Sequence, residues 1–191
     1  KFGKKINIIN KDILKCYNDF KFNLPIKVFG NLPYNISTKI LAKLLAPSND
    51  KNKWEKLFLM FQLEVANRIV AKPNTKQYGR LSLFSQFYSF PSLEFRIPKT
   101  SFFPIPKVES ALVRFQNNHK YYHKHDNALF RDIIKKSFQG RRKMMKNTLK
   151  TSYKNIIELM AISDIPENSR PENITLQQFC NLTDAIDKSK T

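Results

Sequence analysis

Glycine is scarce in these 191 residues. Only Gly3, Gly30, Gly79 and Gly140 occur, and no two stand close enough to build a glycine-rich nucleotide loop. Cysteine is scarcer. Cys16 and Cys180 make no disulfide framework and read as free thiols, so a reducing compartment, the cytoplasm, is expected. No apolar run approaches the length of a membrane span, and the opening residues lack the apolar core of a signal peptide. No methionine stands at position 1; Lys4 to Ile9 instead alternates like a strand entered in mid-fold and closes on Asn10-Lys11-Asp12. Acidic residues are few, 15 against 34 Lys and Arg, which leaves a net charge of +19 and predicts strong, salt-sensitive attraction to phosphate. A general lysine bias accounts for part of that excess but not for Arg141-Arg142 beside Lys143.

A hydrophobic content of 41% is enough for a substantial core, and the length fits one large domain or one and a half smaller ones. Ile26 to Phe29, set between Pro25 and Gly30, reads as a buried strand. Ser37 or Thr38 is expected to cap the next helix, whose apolar stripe is Ile40, Leu41, Leu44 and Leu45. After a polar loop from Pro47 to Lys53, Trp54 to Gln62 reads as a strand, Glu64 to Ala71 as its helix and Leu81 to Tyr88 as another. Leu93 to Ile97 and Val108 to Phe115 are expected to pair as an antiparallel hairpin at the sheet edge. Beyond Phe115 the character changes. Gln116 to Asp126 is polar and carries His119, His123 and His125, but with only Asp126 close by the spacing is no zinc pattern, so no metal is expected. Helical segments follow at Ala128 to Gly140, Arg141 to Lys150, Asn155 to Ile162 and Thr175 to Asp187, the last opened by a Thr175/Gln178 capping box.

The segment richest in chemistry is Asn31-Leu32-Pro33-Tyr34. An aromatic amine attacks poorly because its lone pair is delocalised into the ring, unless acceptors hold both hydrogens and favour a more tetrahedral nitrogen. The Asn31 side-chain oxygen supplies one acceptor. Pro33 removes a backbone donor and biases Leu32 toward an extended conformation, leaving the Leu32 carbonyl as the second. Tyr34 offers a face on which a flat base stacks. Read alone, the same four residues also fit a strand-to-helix turn with a buried tyrosine. Farther on, Pro98, Pro104 and Pro106 stiffen a connection that presents Phe102 and Phe103 at low entropic cost, either to a ligand or as plugs for the core.

Taken in order, several pieces resemble the ribosomal-RNA adenine N6-dimethyltransferases, and within them the small-subunit enzymes. The pieces are Asn31 to Thr38 (NLPYNIST), Gln62 with Glu64-Val65 and Arg68, Tyr78-Gly79-Arg80-Leu81-Ser82, Phe102 to Ser110 (FxPxPKVxS), Phe138 with Arg141-Arg142-Lys143 and Asn147, and Arg170-Pro171-Glu172-Asn173. The likeness runs from about Ile6 to about Ile186.

The resemblance implies an α/β, Rossmann-like class I methyltransferase fold over 1–116, a linker at 117–126 and a small all-helical RNA-binding domain over 127–191. It implies S-adenosyl-L-methionine as cofactor and dimethylation of the N6 amines of two adjacent adenines near the 3′ end of small-subunit rRNA. Phe102 would lie over the opposite face of the target adenine from Tyr34, and Asp12 and Asn31 would contact the cofactor, Asp12 by accepting from its adenine amine; read alone, Asp12 also fits an ordinary cap of the next helix. Arg141, Arg142, Lys143 and Lys146 are expected to grip RNA phosphates. Glu64 and Arg68 either support the site or stabilise a helix face. The cofactor's glycine loop and ribose-binding acid have no counterpart here, so the amino-terminal third is expected to be missing and this chain alone to be inactive. The expected partner is small-subunit rRNA in a pre-30S particle, bound by a monomer with no membrane association. Alternatives of the same family are a large-subunit rRNA methyltransferase of the macrolide-resistance type and a DNA-binding mitochondrial transcription factor; a third is an assembly factor that uses only its basic surface.

Overall fold

The computed structural model describes residues 6–17, 25–46, 54–118, 121, 124–140 and 143–190. Among the described residues four strands form one sheet: β1 (Ile26–Asn31), β2 (Trp54–Gln62), β3 (Ser89–Ile97) and β4 (Ser110–Asn117), in the order β1-β2-β4-β3. β1 and β2 run parallel, which requires a crossover, and α2 (Ser37–Leu45) supplies it. β4 is antiparallel to both of its neighbours.

Alternation divides the sheet into two faces. Leu57, Leu59 and Phe61 of β2 stand opposite Phe115, Val113 and Ala111 of β4, and all six are fully buried. At ~1.5–3 kcal/mol for each large side chain taken from water, this face is a principal source of stability. The expected stripe of α2 belongs to the same core: Ile40, Leu41, Leu44 and Leu45 are all buried. Trp54 locks α2 to β2, donating its indole Nε1–H to the Leu44 carbonyl at 2.8 Å. Trp54→Phe leaves that buried carbonyl unmet, and a loss of about 1–3 kcal/mol is expected, read as a lower denaturation midpoint at unchanged m-value.

The helices α3 (Leu63–Ile69) and α4 (Arg80–Tyr88) follow the strand–helix reading closely. Five expectations need correction. β1 is a strand but not a buried one: its residues alternate between half-buried and exposed, and Phe29 is 74% exposed. Ile6–Asn10, the described part of the anticipated first strand, is exposed and has no strand partner among the described residues; Lys4 and Lys5 lie outside them. Asp12 therefore ends no strand. It caps α1 (Ile13–Cys16), its Oδ1 accepting from the Leu14 N–H at 2.9 Å, because a short carboxylate satisfies an orphan helix donor. Ser37 is not a cap but the first helical residue, and its hydroxyl donates to the Tyr34 carbonyl at 3.0 Å. β3 begins at Ser89 rather than Leu93: Pro91 is tolerated because β3 is an edge strand among the described residues, paired there only with β4.

The helical part comprises α5 (Asn127–Ser137), α6 (Met145–Leu149), α7 (Ile156–Ile162) and α8 (Leu176–Lys188). The α8 capping box forms as expected, Thr175 Oγ1 accepting from the Gln178 N–H and Gln178 Oε1 from the Thr175 N–H. The helix anticipated from Arg141 is shorter, with Met144 as N-cap. Between the sheet and these helices the stretch anticipated as polar linker is partly packed: β4 runs to Asn117, Asn118 is buried and donates to the Gln86 carbonyl, and His125 Nδ1 lies 2.6 Å from Asp184 Oδ1.

Two motif pieces lock sheet to helices. The Tyr78 hydroxyl donates to the Ile174 carbonyl at 2.9 Å, and burial pushes that phenol's pKa far above its ordinary value. The Asn74 N–H donates to the Glu172 carbonyl at 2.9 Å, while Asn173 Nδ2 donates to Asn74 Oδ1 at 2.7 Å. Phe87 and Phe130 stack across the same junction with centroids 4.0 Å apart. Both cysteines are buried and free, and burial together with the nearby Asp184 charge pushes the Cys180 thiol up to about 12, so it is unreactive at neutral pH.

Candidate adenine-binding pocket

β1 ends at Asn31, where the chain leaves the sheet and turns into α2. The turn closes when the Ile36 N–H donates to the Pro33 carbonyl at 3.1 Å, and the Ser37 hydroxyl bond to the Tyr34 carbonyl fixes its far side. The Tyr34 hydroxyl and Ser110 Oγ lie 2.5 Å apart. Ser110, the last residue of the second motif, is fully buried at the start of β4.

These elements border a shallow, open pocket of about 380 Å³ lined by Asn31, Leu32, Pro33, Tyr34, Met60, Phe102, Phe103, Pro104 and Pro106. The two motifs singled out in the sequence, far apart along the chain, thus meet at one cavity. Phe102 is partly buried, whereas Phe103 is fully exposed at the rim. The peptide between Phe103 and Pro104 is cis. No lining residue carries a charge, which suits a flat neutral group rather than a phosphate. Among the described residues neither the Asn31 side-chain oxygen nor the Leu32 carbonyl accepts a hydrogen bond, so both are open to a ligand's donors. Met60 is a lining residue that the sequence reading missed. It sits opposite Asn31 in the β1–β2 register, and only that register could have revealed it.

Asp12 is not among the lining residues. Its Oδ2 has no partner among the described residues, while Oδ1 serves the α1 cap. Glu64 and Arg68 form an exposed ion pair one helical turn apart on α3.

A second, larger groove of about 1290 Å³ runs between the sheet's helices and the helical part, with Arg68, Lys76, Arg80, Arg131 and Lys135 on its walls against Glu172. Of the anticipated phosphate grip, Arg141 and Arg142 lie outside the described residues. Lys143 is exposed, its stem packed on Gly140 so closely that an added Cβ there would meet Lys143 Cγ at 2.9 Å. Lys146 is engaged, its ammonium donating to Glu167 Oε1 at 2.6 Å and to Asn168 Oδ1 at 3.0 Å. Among the described residues no cluster of His, Cys, Asp and Glu fit to hold a metal ion occurs, and no helix is long and apolar enough to cross a membrane.

The model of the ribosomal RNA adenine dimethylase family matches residues 1–188. The ribosomal RNA small subunit methyltransferase A of Blochmanniella floridana is 43% identical over 188 residues, covering 95% of this chain and 67% of that protein. Its namesake from Ruegeria sp. (strain TM1040) is 34% identical, covering 96% and 66%. The chain thus spans about two thirds of the length of these relatives. Among solved structures, a dimethyladenosine transferase from Plasmodium falciparum superposes with a TM-score of 0.82 at 20% identity, covering 98% of this chain and 74% of that one. The 23S rRNA methyltransferase ErmE superposes with 0.65, also at 20% identity, covering 94% and 71%. At such identity the structural likenesses speak for the fold alone, a Rossmann-like methyltransferase sheet followed by helices. The family match over nearly the whole chain goes further: this chain belongs to the ribosomal RNA adenine dimethylase family.

Proposed function

We propose that the protein carrying this chain is an S-adenosylmethionine-dependent enzyme that dimethylates the N6 amines of two adjacent adenines near the 3′ end of small-subunit rRNA, acting as a monomer on a pre-30S particle in the cytoplasm. The observation that carries this reading is the uncharged pocket in which two open acceptors, at Asn31 and Leu32, meet aromatic rings from two distant motifs.

Tyr34 and Phe102 sandwich the extruded adenine. Stacking on each face is worth ~1–3 kcal/mol, which offsets much of the cost of removing a base from its neighbours. The Asn31 side-chain oxygen and the Leu32 carbonyl then accept the two amine hydrogens and favour a tetrahedral nitrogen whose lone pair is free to attack. These acceptors are held by a strand end and a proline-stiffened turn, so they need no reorganisation as the reaction proceeds. No general base is required early, because the amine's proton becomes acidic only after the new bond forms. S-adenosylmethionine, when bound, supplies the electrophilic methyl group. The donor set here fits it: Asn31 borders the pocket, and the uncommitted Asp12 Oδ2 is a suitable acceptor for an exocyclic amine.

RNA is held elsewhere, by the helical domain at 127–191 beyond the 117–126 connection to the catalytic domain at 1–116. Arg141, Arg142 and Lys143 contact phosphates, and Arg131 and Lys135, on the wall of the second groove, offer further cationic contacts. Replacing Arg131 and Lys135 together by alanine is expected to weaken RNA binding for all sequences alike and to flatten the salt dependence by about one unit of slope per lost contact, as titrations at several salt concentrations would read. The catalytic proposal is tested by incubating the protein with under-methylated small-subunit particles and labelled S-adenosylmethionine, then digesting the RNA. Label in N6,N6-dimethyladenosine of the small-subunit RNA is expected. Label confined to large-subunit RNA, or absent from adenine, would contradict the proposal.

A further inference from the structure

The Tyr34 ring lines the pocket, but nothing in its own turn fixes the ring's tilt. The backbone is pinned by the bonds at the Pro33 and Tyr34 carbonyls, yet the last torsion of a tyrosine is broad and sets no single ring plane. Among the described residues the one hydrogen bond at the far end of the ring is the 2.5 Å bond between its hydroxyl and Ser110 Oγ. Ser110 is a rigid anchor. It opens β4 between two ladder partners, Gln62 of β2 and Ile97 of β3, and is fully buried. Its neighbour's carbonyl, at Glu109, accepts from the Leu63 N–H at 2.9 Å, tying this strand end to the start of α3. The Pro-rich segment that carries Phe102 leads directly into the same strand end.

We propose that Ser110 is a positioning residue for methyl transfer: through its hydrogen bond to the Tyr34 phenol it holds the Tyr34 ring at the tilt and separation from Phe102 that a sandwiched adenine requires. This rests on the reading of the pocket as an adenine site. Both stacking faces then take their positions from one strand end, Phe102 through the chain and Tyr34 through the hydroxyl. Without that bond the ring still stacks but samples several tilts, so only a fraction of bound adenines present the amine to Asn31 and Leu32. Capture of the particle, governed by the basic surface, stays the same, and the chemical step slows.

The test compares the parent protein with Ser110→Ala, Tyr34→Phe, the double variant and Ser110→Thr. Single-turnover methylation of under-methylated small-subunit particles is measured beside particle affinity and thermal unfolding. Ser110→Ala and Tyr34→Phe are each expected to slow the chemical step by about 5- to 10-fold, the size of one hydrogen bond, at nearly parental particle affinity. The double variant should be no slower than either single one, because both remove the same bond. Ser110→Thr, which keeps the hydroxyl, should recover most of the rate. Ser110→Ala at the parental rate overturns the proposal, as does a loss that repeats in full on the Tyr34→Phe background, since the hydroxyl would then serve stability alone. If Ser110→Ala fails to fold, Tyr34→Phe removes the bond from the pocket side, and a parental rate in that variant is equally fatal. A parent protein that places no methyl on adenine overturns the adenine-site reading itself; an active parent with unaffected variants overturns only the role of Ser110.

Discussion

Asn31→Ala is expected to slow methylation by roughly 10²–10³-fold in single turnover, the usual cost of removing one preorganised hydrogen-bonding group at a reacting centre. Particle affinity should barely change, because the Asn31 side chain lines the neutral pocket and not the basic groove. The asymmetry follows from where the interaction counts. A ground-state adenine amine is planar and gains little from a second acceptor, whereas the nitrogen under attack is tetrahedral and needs both hydrogens held. With Asn31 gone only the Leu32 carbonyl remains, and it cannot be deleted by substitution. Asn31→Asp is informative beside it: the acceptor survives, but a negative charge enters a pocket whose lining has none, so partial activity is expected.

Tyr34→Ala is expected to impair both capture of the extruded base and its turnover. The variant loses one stacked face, ~1–3 kcal/mol, or roughly 5- to 150-fold in the population of correctly placed adenine. It also releases Ser110 Oγ, which is fully buried and then lacks its side-chain partner, so some loss of thermal stability should accompany the loss of rate. Competition binding with a short single-stranded RNA separates the effects: affinity for the exposed adenine falls in Tyr34→Ala and is maintained in Asn31→Ala. Equal losses in both variants would mean that the two residues act as one structural unit and not as stacker and acceptor.

Much of the fold was legible because local signals and tertiary packing agree. The Ile40, Leu41, Leu44 and Leu45 stripe becomes the buried face of α2, and Thr175 with Gln178 caps α8 as its spacing suggests. Where the reading failed, a local rule had two outcomes and only the surroundings chose between them. Asp12 is equally at home at a strand end or a helix cap, and the open Leu14 N–H decided it. Pro91 halts a strand pattern, but an edge strand has a side on which a missing donor costs nothing. Ser37 looks like a cap, yet its hydroxyl serves the turn before it.

The pocket shows the same division. The residues of Asn31 to Tyr34 and Phe102 announce their chemistry through residue type. Met60 does not, since a methionine comes to line the pocket only through the β1–β2 register, and Ser110, not itself a lining residue, reaches it only through the Tyr34 hydroxyl. For Lys146, close in sequence to Arg141, Arg142 and Lys143, the sequence could not show that folding brings Glu167 alongside to engage its ammonium.

The most direct test of the central claim is primer extension through the 3′ region of small-subunit RNA from cells with and without the gene. Two methyl groups on N6 block the Watson–Crick edge of adenine, so reverse transcription stops there. The account predicts strong stops at two adjacent adenines in the parent, none in the deletion strain, and much weakened stops when the deletion is complemented with Asn31→Ala. Stops that persist in the deletion strain, or that the Asn31→Ala gene restores in full, would contradict it.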